Sequence, residues 1–388
     1  MRLVRPQYSS GRWRCRESSC CSRSYPAMHF ALNGTECRLL IPIFTFGTSK
    51  RAGIHGCRAP AKTFMGDYNA LAKTHEVREF LEDADGIEVL KVVHVEAAHD
   101  RADPLAETRW LQLLADTAGN SGMPQGIVAY ADLSAEDVGG LLAAHAKHPN
   151  VRGIRQILNV HRDPVYDYTG HHFMHEPAWL AGFALLRFHG LSFDLQIYPA
   201  QMPEAAALAR SHPDTALVLN HTGMFVDRST VIGWRQWRGG MRELAACPNV
   251  AVKISGLGML DHLWTVESLR PLVLETIDAF GTERSMFASN FPVDQLYRDY
   301  ATLWRAFEAI VHGASEAEKA ALFRGNAERI YRLWTFPRGG AASFPASAAV
   351  VLTPNVGAPA RRAAFRPARW MAGFAPFANF AVASRSIG

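Results

Sequence analysis

The sequence predicts a parallel (β/α)8 barrel, on three observations. Short runs rich in β-branched residues alternate with segments whose apolar residues recur at helical spacing, the pattern of a parallel sheet with crossover helices. Ala61 to Thr335 spans 275 residues, close to the roughly 250 that such a barrel uses. Several of the runs end on polar residues, as barrel strands do at the end where ligands bind.

The elements follow in order. Asp67 to Asp83 is mostly polar and helix-like, and Ile87 to Ala97 (IEVLKVVHVEA) is the first clear strand. Thr108 to Ala118 sets Trp110, Leu111 and Leu114 on one side of a helix. Strand Gly126 to Leu133 precedes helix Ala135 to His148, whose acids come early and bases late, as the helix dipole favours. Val151 to Leu158, a His-rich loop, helix Pro177 to His189, strand Leu191 to Ile197 and helix Pro203 to Ser211 continue the alternation. Ala216 to Asn220 is a run apolar on both faces that stops on Asn220, His221 and Thr222, with Gly223 turning the chain. A helix around Trp234 to Ala246, strand Val250 to Leu257, helix Val266 to Phe280, strand Ser285 to Ala288 and two more helices complete the series. These make seven strands. The eighth must precede Asp67, where Leu39 to Phe46 is the only candidate, so the first strand is read as atypical or missing.

Composition is that of an ordinary globular protein, with 48% hydrophobic and 20% charged residues in 388. No apolar run is long enough to span a bilayer. The net charge of +5 is carried by the two ends: residues 1–60 hold ten Arg or Lys against two Glu, and residues 336–388 six Arg and no acid. That leaves 25 basic and 34 acidic residues for 61–335, a net of −9, which argues against nucleic acid as a partner. The expected organisation is therefore an irregular basic extension (1–60), a barrel (61–335) and a low-complexity basic extension (336–388). The opening is rich in Arg and Ser like a transit peptide, yet shows no convincing amphipathic helix. Five of six cysteines fall in the first 57 residues without a zinc spacing, and the single Cys247 of the middle fits a reducing, cytoplasmic setting.

Residues two apart on a strand share a face, so parity identifies groups that converge in a barrel mouth. His94 with Glu96, Gly153 with Arg155, Asp194 with Gln196, and Lys253 with Ser255 are such pairs. His221 ends one strand, and Asn290 ends the last, with Asp294 four residues on. Imidazole, guanidinium, carboxylate and amide together suit a polyhydroxylated or anionic substrate and water attack on a carbonyl. His171, His172 and His175 lie in a polar loop beside Tyr166 and Tyr168, with Glu176 the one carboxylate considered as a ligand, and are read as a substrate-covering loop without metal.

With these residues in view, roughly Thr63 to Leu333 resembles the amidohydrolase-related family of TIM-barrel proteins, in its lactonase-like branch. VVHVEA, VRGIRQIL, FDLQIYPAQM, LNHTG, VKISGLG, FASNFPVD and the closing FRGNAERIYRL carry the resemblance. It implies hydrolysis of an ester or lactone of a small sugar acid or carboxylated compound, with small-molecule substrates as partners, no membrane, and a homo-oligomer left open. His221 would polarise the carbonyl or hold a metal. Arg155 would clamp the substrate, with His94, Gln196, Lys253 and Ser255 lining its site. Two departures stand out. Relatives carry an H-x-H pair on the first strand, whereas His29 and His55 are isolated here. They also read S-D-W-P where this chain has Ser289, Asn290, Phe291 and Pro292. An amide cannot accept a proton as an aspartate does, so Asp294 or Glu96 is expected to act as base. No residue is assigned to a metal, although a divalent ion such as zinc stays open as cofactor. Metal-dependent decarboxylation of an aromatic acid, and metabolite binding without chemistry, are the alternative readings.

Overall fold

The structure, a computed structural model, describes residues 43–44, 64–67, 69–71, 73–97 and 100–333. Most of both predicted extensions, including the cysteines of the N-terminal segment, therefore lies outside the described residues. Eight strands stand in chain order: β1 (Ile43–Phe44), β2 (Val93–Val95), β3 (Gly126–Tyr130), β4 (Val151–Ile157), β5 (Ser192–Gln196), β6 (Leu217–Leu219), β7 (Val250–Ile254) and β8 (Ser285–Phe287). Seven pairings join them, all parallel. The helices are α1 (Val77–Asp83), α2 (Pro104–Asp116), α3 (Val138–Ala146), α4 (Pro177–Leu185), α5 (Met202–Ser211), the single distorted turn α6 (His221–Met224), α7 (Val231–Ala245), α8 (Val266–Phe280), α9 (Tyr300–Ile310), α10 (Glu316–Ala320) and α11 (Asn326–Ile330). This is the order of a (β/α)8 TIM barrel.

The strand sought before Asp67 is β1, inside the run Leu39 to Phe46, with Ile43 opposite Val93 and Phe44 opposite His94. The sheet thus takes in residues before 61. β2 is shorter than the run Ile87 to Ala97, because Ile87 and Val89 pack against the outer core and Lys91 turns to Glu328, 2.5 Å away.

Two apolar layers explain why the strands do not alternate in sequence. Ile127, Ile154, Phe193, Leu195 and Val252 face the helices. Val93, Val95, Val128, Val218, Ala251 and Met286 fill the interior, closed at the strands' amino ends by Tyr331 and Leu333. Asn326 fastens this closure, its amide donating to the carbonyls of Thr282 (2.6 Å) and Ser285 (2.7 Å). The FRGNAERIYRL stretch is therefore a plug. No helix among the described residues is long and apolar enough to cross a membrane.

Candidate active site

The carboxyl end of β6 is a tight turn. Asn220 is extended, and His221, Thr222, Gly223 and Met224 then adopt positive φ of 53°, 52°, 76° and 47°. For residues other than glycine such backbone costs on the order of 1–3 kcal/mol each and persists only where the surroundings enforce it. Here Trp237 does so, donating from Nε1 to the Thr222 carbonyl at 2.8 Å. A Cβ on Gly223 would run into the Met202 side chain. The turn aims His221 inward, where Nδ1 shares a 2.9 Å hydrogen bond with Ser255 Oγ, just beyond β7. Gly256 follows with φ of 61°, and a Cβ there would lie 2.5 Å from the same Nδ1. The ring fits because that position is glycine.

Beneath His221, inward residues of β4, β5 and β7 form two ion pairs. Lys253 Nζ donates to Asp194 Oδ2 at 2.5 Å, and Tyr331 OH donates to the same carboxylate at 3.1 Å. Arg155 donates from Nε to Glu96 Oε1 (2.7 Å), from Nη2 to the Glu96 carbonyl (2.6 Å) and from Nη1 to Gln196 Oε1 (3.1 Å). Burial lowers the Lys253 pKa to about 8, outweighing the pull of Asp194. Burial, then the charges of Lys253 and Arg155, hold His221 well below its ordinary 6.5 against the opposing Ser255 bond. His221 is thus neutral at physiological pH.

Beyond β8, Asn290 (φ 55°) accepts from the Asp294 backbone N–H at 3.1 Å, in the short 3-10 turn Val293–Leu296. Asp294 is buried, with Oδ1 3.5 Å from Asn290 Nδ2 and no hydrogen-bond partner for Oδ2 among the described residues. Burial raises its pKa to about 8, against the opposing Asn290 amide, the Gly256 backbone and Arg228. A buried carboxyl in that condition is largely protonated at neutral pH. His221 and Asp294 approach the Gly256–Gly258 segment together, since a Cβ on Gly258 would lie 3.2 Å from Asp294 Oδ1.

Of the residues read from sequence, the barrel brings Glu96, Arg155, Gln196, Lys253, Ser255 and His221 to its interior, with Asn290 and Asp294 beside them. His94 departs from this set. It sits between sheet and helix, Nε2 2.8 Å from Glu107 of α2. The parity argument fails because β2 ends at Val95; Glu96, past the end, bends inward to Arg155. Arg155 departs from the expected clamp, since its three nitrogens are engaged with Glu96 and Gln196, and Glu96 is correspondingly a paired anion. Tyr331 carried no signal in sequence, and the pairing of Asp194 with Lys253 requires knowing that β5 and β7, separated by β6, both turn these side chains to the barrel interior.

A pocket of about 190 Å³ opens over β2 to β4, lined by Glu96, Arg101, Tyr130, Tyr168, Thr169 and His171 among others; His221 is not in its wall. Tyr198, Met224 and Met259 form a small apolar cluster, with Phe64, Tyr166 and Tyr297 packed on it, and Met259 stands beside Gly256 as the His221 ring does. Tyr297 OH donates to the Met65 carbonyl at 2.8 Å, fixing the 64–65 segment across the mouth.

A TIM barrel that gathers an imidazole, a carboxyl, an ammonium and a guanidinium at its strand ends places ionisable groups at the end where this fold carries its active sites. The chain belongs to the amidohydrolase family, whose model matches residues 28–333. It is 48% identical over 270 residues to the uncharacterized protein y4mH of Sinorhizobium fredii, covering 69% of this chain and 89% of that one. It is 29% identical over 238 residues to the L-fucono-1,5-lactonase of Burkholderia ambifaria, covering 58% and 76% respectively. Among solved structures, an amidohydrolase of Burkholderia multivorans with bound zinc shares the fold at a TM-score of 0.64, with 24% identity over 76% of this chain and 99% of that one.

The donors described at this mouth do not fit a resident metal. His221 has its Nδ1 engaged with Ser255 and belongs to no group of three His, Cys, Asp or Glu ligand atoms among the described residues. Among the described residues the one group of three His, Cys, Asp or Glu ligand atoms within 4.8 Å of one another is His172, His175 and Glu204, away from that cluster.

Proposed function

We propose that this hydrolase opens a lactone or ester of a small hydroxylated acid, with His221 as general base and Asp294 as general acid. The observation that carries it is a neutral imidazole and a protonated carboxyl, with pKa values displaced in opposite directions, on one short glycine segment. Ser255 holds Nδ1, and Nε2 has no hydrogen-bond partner among the described residues. Nε2 takes a proton from water as its oxygen bonds to the lactone carbonyl carbon. When the ring C–O bond breaks, the leaving oxygen takes the Asp294 proton. His221 then passes its proton through solvent to the Asp294 carboxylate, which restores both groups, and the product acid ionises to solvent. The field of Lys253 favours the oxyanion that forms between these steps. These roles reverse the sequence expectation for Asp294, because burial keeps its proton on.

The tyrosines, Thr169 and Arg101 of the neighbouring pocket supply hydrogen-bonding groups for a polyhydroxylated substrate, and the similarity to L-fucono-1,5-lactonases favours a sugar lactone. The test is purified protein against a panel of sugar and aromatic lactones, following acid release. Turnover is expected, with kcat/KM falling roughly 10²–10⁴-fold in His221→Ala, the usual contribution of a general base. Undiminished turnover in that variant rejects the assignment, and lactone binding without turnover in the unaltered protein replaces hydrolysis with binding alone.

A further inference from the structure

The loop between β4 and α4 reaches over the mouth, where Tyr198 OH donates to the Tyr166 carbonyl at 2.7 Å, and Tyr168, Thr169 and His171 join the pocket wall. Its return limb is a 3-10 turn, Phe173–His175, with His172 at the cap. Residues three apart eclipse in such a turn. The His172 and His175 rings accordingly stack, with centroids 5.4 Å apart and planes 7° from parallel. The first turn of α5 brings Glu204 against them, Oε2 lying 3.2 Å from His175 Nε2. That oxygen is shielded from solvent and has no conventional hydrogen bond among the described residues. One ligand atom from each residue lies within 4.8 Å of the others.

From these positions we propose that His172, His175 and Glu204 bind a divalent ion of the zinc class, clasping the β4–α4 loop to the start of α5. Two imidazole nitrogens and one carboxylate suit zinc and its first-row neighbours; calcium and magnesium require oxygen ligands. Donors bonded at about 2.0–2.1 Å around a tetrahedral ion stand roughly 3.3 Å apart, so the His175–Glu204 pair is already at ligand spacing. His172 needs only a side-chain adjustment, which its exposure permits. The remaining coordination position faces solvent. The site takes its ligands from a loop and a helix outside the barrel interior, so it does not depend on the lactonase reading.

The test uses the full chain, stripped with a chelator and dialysed against zinc chloride, then cobalt chloride. The unaltered protein is expected to retain one equivalent more zinc than His172→Ala/His175→Ala, and to show a cobalt absorption band in the visible that this variant lacks. Glu204→Gln should weaken binding by more than about tenfold, the loss that even an outer-shell partner causes. Zinc should raise the thermal midpoint of the unaltered protein and leave that of the double variant unmoved, while His221→Ala keeps the equivalent. Equal uptake by the unaltered protein and the double variant, or loss of the equivalent in His221→Ala, overturns the proposal.

Discussion

Asp294 and His221 owe their chemistry to where they are buried. Below a pH of about 8 Asp294 holds the proton it would donate, and His221 stays unprotonated until well below 6.5. The expected profile of kcat/KM is a plateau through neutrality that falls above about pH 8. Asp294→Asn should lower the rate roughly 10²–10⁴-fold and remove that alkaline fall; an alkaline limb unchanged in this variant assigns it to another group. Lys253 titrates nearby but has a second duty, compensating Asp194 in the interior. Removing one partner of a buried pair leaves an uncompensated charge, costing about 3–5 kcal/mol. Lys253→Met should lose stability of that order in urea titration, and Lys253→Met/Asp194→Asn should recover much of it. These pairings were only half legible. FDLQI and VKISG put Asp194 with Gln196 and Lys253 with Ser255 on shared faces, but which of these residues meet depends on how the strands are set around the curled sheet.

At the scale of elements, two glycines decide how closely segments approach. Gly182 of α4 lies against the Leu133 carbonyl, and a Cβ there would collide with that oxygen. Helix propensity favours Ala by about 1 kcal/mol, whereas forcing atoms into a packed site costs about 1–3 kcal/mol. Because the obstacle is backbone, the collision should win, and Gly182→Ala should lower the thermal midpoint. Gly256→Ala acts elsewhere: the added methyl displaces the His221 ring and meets an unfavourable φ. Its expected signature is a loss of kcat larger than any loss of folded protein by circular dichroism. Helix α8 was read from sequence with the bounds it has, Val266–Phe280, because Thr265 caps it, Ser268 closes the capping box and Gly281 ends it. β2 is shorter than its β-branched run, since β-branched residues that pack beside a sheet look in sequence like those that pair within it.

For the molecule as a whole, buried titratable groups set how stability follows pH. The folded pKa of Asp294 lies above its ordinary 3.8, so its contribution is full below that value and is lost as pH rises toward about 8. Lys253 runs the other way: its folded pKa of about 8 lies below 10.5, so between these values the unfolded chain binds more protons and stability rises with pH. Asp294→Asn should therefore gain on the unaltered protein in denaturant midpoint as pH climbs from 4 to 8. A constant difference over that range would refute the buried, protonated state assigned to this carboxyl.

The sequence by itself determined the barrel, because alternating periodicities and runs apolar on both faces leave few other ways to bury such strands. It also offered Leu39 to Phe46 as the one candidate for an atypical or missing first strand, and marked the polar strand ends near His221, Arg155 and Lys253. Only the tertiary structure decided which partners and surroundings those groups have. Arg155 is spent on Glu96, His94 faces a helix, Asp294 keeps its proton, and Glu204 crosses to two histidines about thirty residues earlier. Each outcome depends on the distance and dielectric between segments far apart in the chain, quantities that no local pattern of residues encodes.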